Sequence, residues 1–308
     1  MFDRMNSERF NKMKRKFLMN DNFFRAFEAT YPYNPFARLE EINRLQDLRS
    51  NVKGKCDVFI CEIDGFKMVI DSNTRQDLEV YDGLLHKGYE PMTTRLLYEN
   101  LGAGDVFVDA GANNGYFSLI ASKLIGNKGK VLSFEPSPST FQRLKHNLSL
   151  NISKNTEAFN VALSNEEGIA TFYQFHFADG NNSFVKLPGT REITVNTNRL
   201  DKVLNGEMPT MIKIDVEGYE RELLEGGKKS ILENEQIKII MEYNRRLLRK
   251  RKRDYDSVIN LLREYDFRIW MIDDKQFRLS PEMVGDHKTI DPFNCNWFGP
   301  LIRDRVVL

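Results

Sequence analysis

The stretch Val106-Phe107-Val108-Asp109-Ala110-Gly111-Ala112-Asn113-Asn114-Gly115-Tyr116 constrains the fold more than any other part of the chain. A short apolar run ends in an acid, a small-residue turn with glycines at 111 and 115 follows, and Phe117 to Leu124 reads as a helix. A strand apolar on both faces belongs inside a parallel sheet. A sharp strand-to-helix turn at its carboxyl end leaves backbone N–H groups and the strand-end acid facing a ligand crevice. Residues 109–116 are therefore expected to form a nucleotide-type cofactor site.

The chain around this stretch alternates. Lys130 to Phe134 reads as a strand ending at Glu135, and Ala158 to Leu163 as a third. Thr210 to Ile214 reads as a fourth, ending at Asp215, and Ile237 to Met241 as a fifth, ending at Glu242. Helical spacing covers Ser139 to Asn147, Glu220 to Ile231 with an interruption near Gly226-Gly227, and Tyr255 to Tyr265; Phe267 to Ile272 begins another strand. Gly168 to Phe177 and Glu192 to Thr197 read as strands of a local excursion. The βα alternation predicts a doubly wound α/β sheet. Upstream, Val58-Phe59-Ile60 and Phe66 to Ile70 flank Asp64-Gly65, a strong hairpin signal, and helices are expected at Asp77 to His86 and Met92 to Leu101. The expected division is an N-terminal helical extension and β-hairpin over 1–88 and a cofactor-binding domain over 89–308.

Composition narrows the partners. The 308 residues are 41% hydrophobic and 29% charged, enough for a packed core. A net charge of +1 gives no global field toward nucleic acid or anionic membrane. There is no apolar run of about 18 residues, so no membrane-spanning helix is expected. Met1 to Lys16 lacks the apolar core of a secretory signal. Cys56, Cys61 and Cys295 have no metal-site spacing, so reduced thiols in a cytoplasmic protein are expected. In residues 1–50, Phe23, Phe24 and Phe27 share one face and Leu39, Ile42, Leu45 and Leu48 another. This region reads as a helical extension packed on the main domain, a surface for homo-oligomer formation, or a substrate-covering lid.

Three strands end in an acid: Asp109, Glu135 and Asp215. Glu135 lies 20 positions beyond Gly115, the spacing at which an acid takes ribose hydroxyls. The turn lacks the Gly-x-Gly-x-x-Gly pattern that brings backbone against a pyrophosphate, and no Walker lysine is present. A ribosylated cofactor without phosphates fits better, and S-adenosylmethionine is one. Asp109 would bind its ammonium, the alternative being a helix cap. Backbone N–H groups of Gly111, Asn113, Asn114, Gly115 and Tyr116 would meet its carboxylate.

The motifs Phe107 to Ser118, Phe134-Glu135-Pro136-Ser137-Pro138, Asn160 to Ser164, Leu200-Asp201 and Ile212-Lys213-Ile214-Asp215-Val216-Glu217-Gly218-Tyr219-Glu220 resemble the FkbM family of S-adenosylmethionine-dependent methyltransferases. The resemblance runs from about Tyr89 to the C-terminus. It implies a Rossmann-like class I methyltransferase sheet with helices on both faces and methyl transfer, usually to a hydroxyl of a sugar, glycolipid or natural product. Glu135 and Pro136 would hold the ribose side, and Asn160, Val161 and Ala162 would border the adenine. Other readings are a non-catalytic module that retains the fold, and methylation of a nitrogen or of RNA. The Asn/Asp-Pro-Pro-Tyr signature of amino-group methylation is absent.

Methyl transfer to an alcohol calls for a base or a Lewis acid. Asp215 sits at a strand end beside the expected methyl site, with Glu217 and Glu220 following. Acids in a first helical turn also complement the helix dipole. The candidate catalytic groups are Asp215, Glu217 and His176. Asp215, Glu242 and Asn244 together offer oxygen ligands suited to magnesium or calcium. Asn182-Ser183 lies on a polar loop that would line an acceptor pocket. The basic run Arg245 to Arg253 reads either as a solvated helix face or as a contact for an anionic acceptor or lipid headgroup.

Overall fold

The structure, a computed structural model, describes residues 48, 58–63, 65–86, 88–151, 154–175, 182–242, 251, 256–273, 278–281 and 298–303. The expected helices before residue 58, Asp64, His176, Asn244, Cys56, Cys295 and the basic run other than Arg251 lie outside the described residues.

A hairpin of β1 (Val58–Ile63) and β2 (Phe66–Asp71) leads into α1 (Arg75–Leu85) and α2 (Pro91–Asn100). Next come β3 (Val106–Ala110), α3 (Tyr116–Ile125), β4 (Lys130–Phe134), α4 (Pro138–Leu150) and β5 (Thr156–Phe159). The excursion is β6 (Ala162–Ser164), β7 (Gly168–Phe175) and β8 (Thr190–Arg199), and α5 (Leu200–Leu204) brings the chain back. Then follow β9 (Met211–Ile214), α6 (Glu220–Gly226), α7 (Lys228–Glu233) and β10 (Lys238–Glu242). The last described elements are α8 (Asp256–Glu264), β11 (Phe267–Asp273), β12 (Arg278–Pro281) and β13 (Phe298–Arg303). No described helix is long and apolar enough to cross a membrane.

One sheet has the order β12-β11-β13-β10-β9-β3-β4-β5, and a smaller one has the order β6-β8-β7. Strands β10, β9, β3, β4 and β5 are parallel, and β13 is inserted antiparallel between β10 and β11. Strand order reverses at β3, since the chain moves outward through β4 and β5 and then returns to β9 on the other side. The crevice above that switch point is where an open α/β sheet binds ligands.

Side-chain alternation sorts the strands between two cores. Phe107, Val131, Met211 and Ile240 pack with Leu96, Leu119 and Leu144 of α2, α3 and α4. Val108, Leu132, Ile212 and Ile239 pack with Leu204, Leu224, Ile231 and Leu262 of α5 to α8. Each fully buried side chain of this size contributes roughly 1.5–3 kcal/mol. The sheet therefore has helices on both faces, as the alternation predicts. The hairpin joins the first core through Phe66, Met68 and Ile70. Two asparagines of α4 and its C-cap hold its edge: Val69 N–H donates to Asn147 Oδ1 (2.9 Å), and Asn151 Nδ2 donates to the Lys67 carbonyl (2.7 Å). These side chains pair an otherwise open strand edge.

The continuous strand expected over 158–163 is two strands in two sheets. Ala158 and Phe159 belong to β5, while Ala162 and Leu163 begin the small sheet in β6. Asn160 breaks the run because its Nδ2 donates to the carbonyls of Glu135 (2.8 Å) and Pro136 (3.0 Å). The apolar run is continuous across a change of sheet, so periodicity alone does not reveal it.

Candidate active site

The turn after β3 is built around close backbone approach. Gly111 has φ +83°, and a Cβ there would lie 1.8 Å from the Asp215 carbonyl oxygen. The N–H groups of Gly111 and Ala112 both donate to the Phe134 carbonyl at 2.9 Å, and Asp215 N–H donates to the Ala110 carbonyl at 2.9 Å. The ends of β3, β4 and β9 are thus tied together with no room for a side chain at 111. Asn113 follows in the left-handed region at φ +50°. Asparagine tolerates that region better than most residues, and there its N–H reaches Glu135.

Glu135, 6% exposed, is oriented by two backbone donors. Asn113 N–H reaches Oε2 at 3.1 Å and Ser137 N–H reaches Oε1 at 2.9 Å. Each oxygen keeps a lone pair for a further donor. Burial outweighs these hydrogen bonds and pushes the carboxyl up to about 7. Ser137 also caps α4, with its side chain accepting from Thr140 N–H.

A cleft open to solvent lies here. Its lining follows the strand order β9-β3-β4-β5: Asp215 and Glu217 come after β9, Gly111 and Asn113 after β3, Glu135 and Pro136 after β4, and Val161 and Ala162 beyond β5. Phe172, Asn182 and Phe184 of the excursion line it as well. Phe184 stacks on Tyr219 with ring centroids 3.6 Å apart and meets Phe172 edge-on at 4.8 Å. That stack ties the excursion to the turn carrying Glu217.

Strand register assembles the charged end. Asp109 of β3 pairs with Lys213 of β9 and with Ser133 of β4, so the three side chains share the face toward α3. Ser118 Oγ donates to Asp109 Oδ2 at 2.6 Å and lies 2.8 Å from Ser133 Oγ. Asp109 is 1% exposed, and burial raises its carboxyl against the pull of Lys213 and Ser118. Lys213, 3% exposed, donates from Nζ to Asp215 Oδ2 at 3.2 Å and sits 4.8 Å above the Phe117 ring. Burial opposes its charge, but Asp215, Glu90, Asp109 and Glu242 together hold it above the usual lysine range. The carboxylates of Asp215, Glu217 and Glu242 approach within 4.8 Å of one another. Burial, then the charges of Asp215, Glu217 and Glu90, push Glu242 well above the carboxylate range.

Of the residues expected from sequence, Gly111, Asn113, Glu135, Pro136, Val161, Ala162, Asp215 and Glu217 line the cleft. Five stand behind it. Asp109 turns beneath the sheet end toward Ser118, and Asn160 braces the loop after β4. Asn114 donates to Asp77 Oδ1 (2.8 Å), Gly115 backs onto Leu144, and Tyr116 packs against Tyr89 and Phe117. The expected metal ligands Asp215 and Glu242 do come together, with Glu217 beside them. Arg251 packs its guanidinium 4.3 Å from the Tyr219 ring centroid, pairs with Glu222 at 2.9 Å and donates to the Gly218 carbonyl. Sequence reasoning missed Lys213, although a lone charge inside an apolar central strand is a visible signal. Phe172 and Phe184 line the cleft beside Asn182, whose loop was expected to line an acceptor pocket.

A model of the methyltransferase FkbM domain matches residues 109–269, just over half of the chain. The chain belongs to the FkbM methyltransferase family. The FkbM match begins at the acid ending β3 and runs into β11, so it takes in Glu135, Asp215, Glu217 and Glu242. Among curated relatives, the hexuronic acid methyltransferase AglP of Haloferax volcanii is 34% identical over 135 residues, 43% of this chain and 54% of that protein. Methyltransferase 1 of Beauveria bassiana is 32% identical over 143 residues, 39% of this chain and 57% of that protein. The chain thus spans little more than half the length of these two relatives. Among solved structures, an FkbM methyltransferase from Methylobacillus flagellatus aligns with a TM-score of 0.40 at 14% identity, over 73% of this chain and 53% of that one.

Proposed function

We propose that this chain is an S-adenosylmethionine-dependent O-methyltransferase acting on a hydroxyl of a sugar or sugar-like natural product. The observation that carries the reading is Glu135. It presents a carboxylate with one lone pair left on each oxygen, inside a cleft whose glycine turn lacks the pyrophosphate pattern. Two hydroxyls of a ribose are the matching donors. The buried Asn113 Oδ1, which has no hydrogen-bond partner among the described residues, is a further acceptor beside them.

S-Adenosylmethionine supplies an electrophilic methyl group on a sulfonium. The chain's task is to align an acceptor oxygen with that methyl and to take the hydroxyl proton as the new C–O bond forms. Positioning of this kind is worth up to about 7–11 kcal/mol in favourable cases. Asp215 and Glu217 stand at the end of the cleft away from Val161 and Ala162, where an acceptor would enter. Lys213 orients Asp215 through its 3.2 Å hydrogen bond, so this carboxylate is the proposed proton acceptor. The sugar preference draws on the relative named as a hexuronic acid methyltransferase. Calorimetry with S-adenosylmethionine should give saturable binding at a single site. Incubation with hexuronic acid and neutral hexose acceptors should then give a product one methyl group heavier. Absence of cofactor binding overturns the reading, and binding without turnover on any sugar or natural-product acceptor returns it to a binding module.

A second reading adds a divalent cation to Asp215, Glu217 and Glu242, whose hard oxygen donors suit magnesium. The fit is incomplete, because the Lys213 ammonium already supplies a positive charge at Asp215. Activity is therefore expected to persist in excess EDTA. A loss in EDTA that magnesium restores would favour the metal instead.

A further inference from the structure

Asn182, on the loop expected from sequence to line an acceptor pocket, has one end of its amide free among the described residues. It is 8% exposed and lines the cleft. Its Oδ1 accepts from Phe175 N–H at 3.0 Å, which fixes which end of the amide is which. Its Nδ2 is buried and has no hydrogen-bond partner among the described residues. A buried donor left unmade costs about 1–3 kcal/mol, so such a group in a ligand cleft points to an acceptor on the ligand.

The placement selects which part of the ligand. Ser183 pairs with Tyr173 through both backbone hydrogen bonds (2.8 and 3.0 Å), and Asn182 with Phe175, so residue 182 lies beside 174–175. Gln174 in turn donates to Ser139 Oγ at 2.9 Å and reaches Ser137, directly after Glu135-Pro136. One step along the same segment, Phe184 stacks over Tyr219, on the side of Glu217. Asn182 therefore stands on the Pro136 side of the cleft, beyond the ribose carboxylate and away from the acid cluster.

We propose that Asn182 Nδ2 donates a hydrogen bond to a ring nitrogen of the adenine, making the excursion sheet part of the base-recognition site. The proposal rests on the cofactor reading above. Purine ring nitrogens are acceptors, whereas the exocyclic amine is a donor and does not match Nδ2. The excursion thus does more than wall the cleft: it reads the base, with an amide held in register by β7.

The test is Asn182→Asp, which keeps an oxygen for Phe175 N–H and replaces the Nδ2 donor with an acceptor. S-Adenosylhomocysteine affinity of the full chain is expected to fall about tenfold, while the circular dichroism spectrum is unchanged. Wild-type protein should also lose about tenfold with one of the 1-, 3- or 7-deaza analogues of S-adenosylhomocysteine, and Asn182→Asp should lose nothing more with that analogue. If the variant does not fold, Asn182→Ser takes its place in the same cycle. Wild type binding S-adenosylhomocysteine and all three analogues alike overturns the proposal. So does a variant that binds as wild type, or one altered only in acceptor KM. Failure of the wild type to bind S-adenosylhomocysteine would instead overturn the cofactor reading itself.

Discussion

Replacing Glu135 with glutamine is expected to weaken S-adenosylhomocysteine binding about 100-fold, the worth of losing charge-assisted hydrogen bonds to a diol. The amide presents one acceptor and one donor where two acceptors are needed, and its donor end faces a backbone N–H of Asn113 or Ser137. Binding to the wild type should also weaken as pH falls below about 7, because the buried carboxyl is pushed up to about 7 and its protonated form offers fewer acceptors. The stability of the ligand-free protein moves the other way. The folded state holds the Glu135 proton more tightly than the unfolded chain does. That stability is fully present below the ordinary glutamate value of about 4.5 and is lost as pH rises through about 7. The loss is worth about 3 kcal/mol, or about 5 °C in Tm. Glu220, also pushed up to about 7 by burial, adds a second such loss. Thermal melts of ligand-free wild type should therefore drop between pH 5 and pH 8, and the Glu135 share of that drop should vanish in the variant. Equal affinity in variant and wild type at pH 8 would remove Glu135 from the cofactor site.

Alanine at Gly111 is expected to cost about 4 kcal/mol or more and to abolish cofactor binding. Its Cβ would sit 1.8 Å from the backbone oxygen of Asp215, at φ +83°. No rotamer relieves a clash with backbone, so β3 and β9 must part, and overpacking of this kind adds to left-handed strain. Gly104 is the control: at φ +94° it meets nothing within 4 Å, so alanine there carries only conformational cost, about 1 kcal/mol. Urea unfolding of both variants separates the two effects. Similar losses at 104 and 111 would show that the close approach at Asp215 is not required.

Much of this architecture was legible because its signals are local. The helix interruption at Gly226-Gly227, the Asp64-Gly65 hairpin flanks and the acids ending β3, β4 and β9 follow from residue type at short spacing. The cleft residues Gly111, Glu135 and Asp215 were found because strand ends at a switch point converge by topology, while Val161 came from the family resemblance. What escaped was set by pairing between distant segments. The run 158–163 reads as one strand because hydrophobicity does not record that Asn160 is drawn away by two carbonyls of the loop after β4. Phe184 is placed at the cleft by its stack on Tyr219, and Phe172 of β7 meets it edge-on. Asp109 illustrates both sides: its position at a strand end was plain, but register with Lys213 and Ser133 turns its carboxylate toward α3.

The residues by themselves determined a doubly wound α/β chain and placed its turn at 111–115 beside a ribose-type acid at 135, since apolar period, glycine placement and strand-end charge act over a few residues. Only the tertiary structure decided that β13 enters between β10 and β11, that a buried lysine pairs with Asp215 in the acid cluster, and that the excursion lines the cleft with an amide whose Nδ2 has no hydrogen-bond partner among the described residues. Those features depend on which strands meet and in what register, and that choice is made by the free energy of the whole packed sheet rather than by any stretch of it.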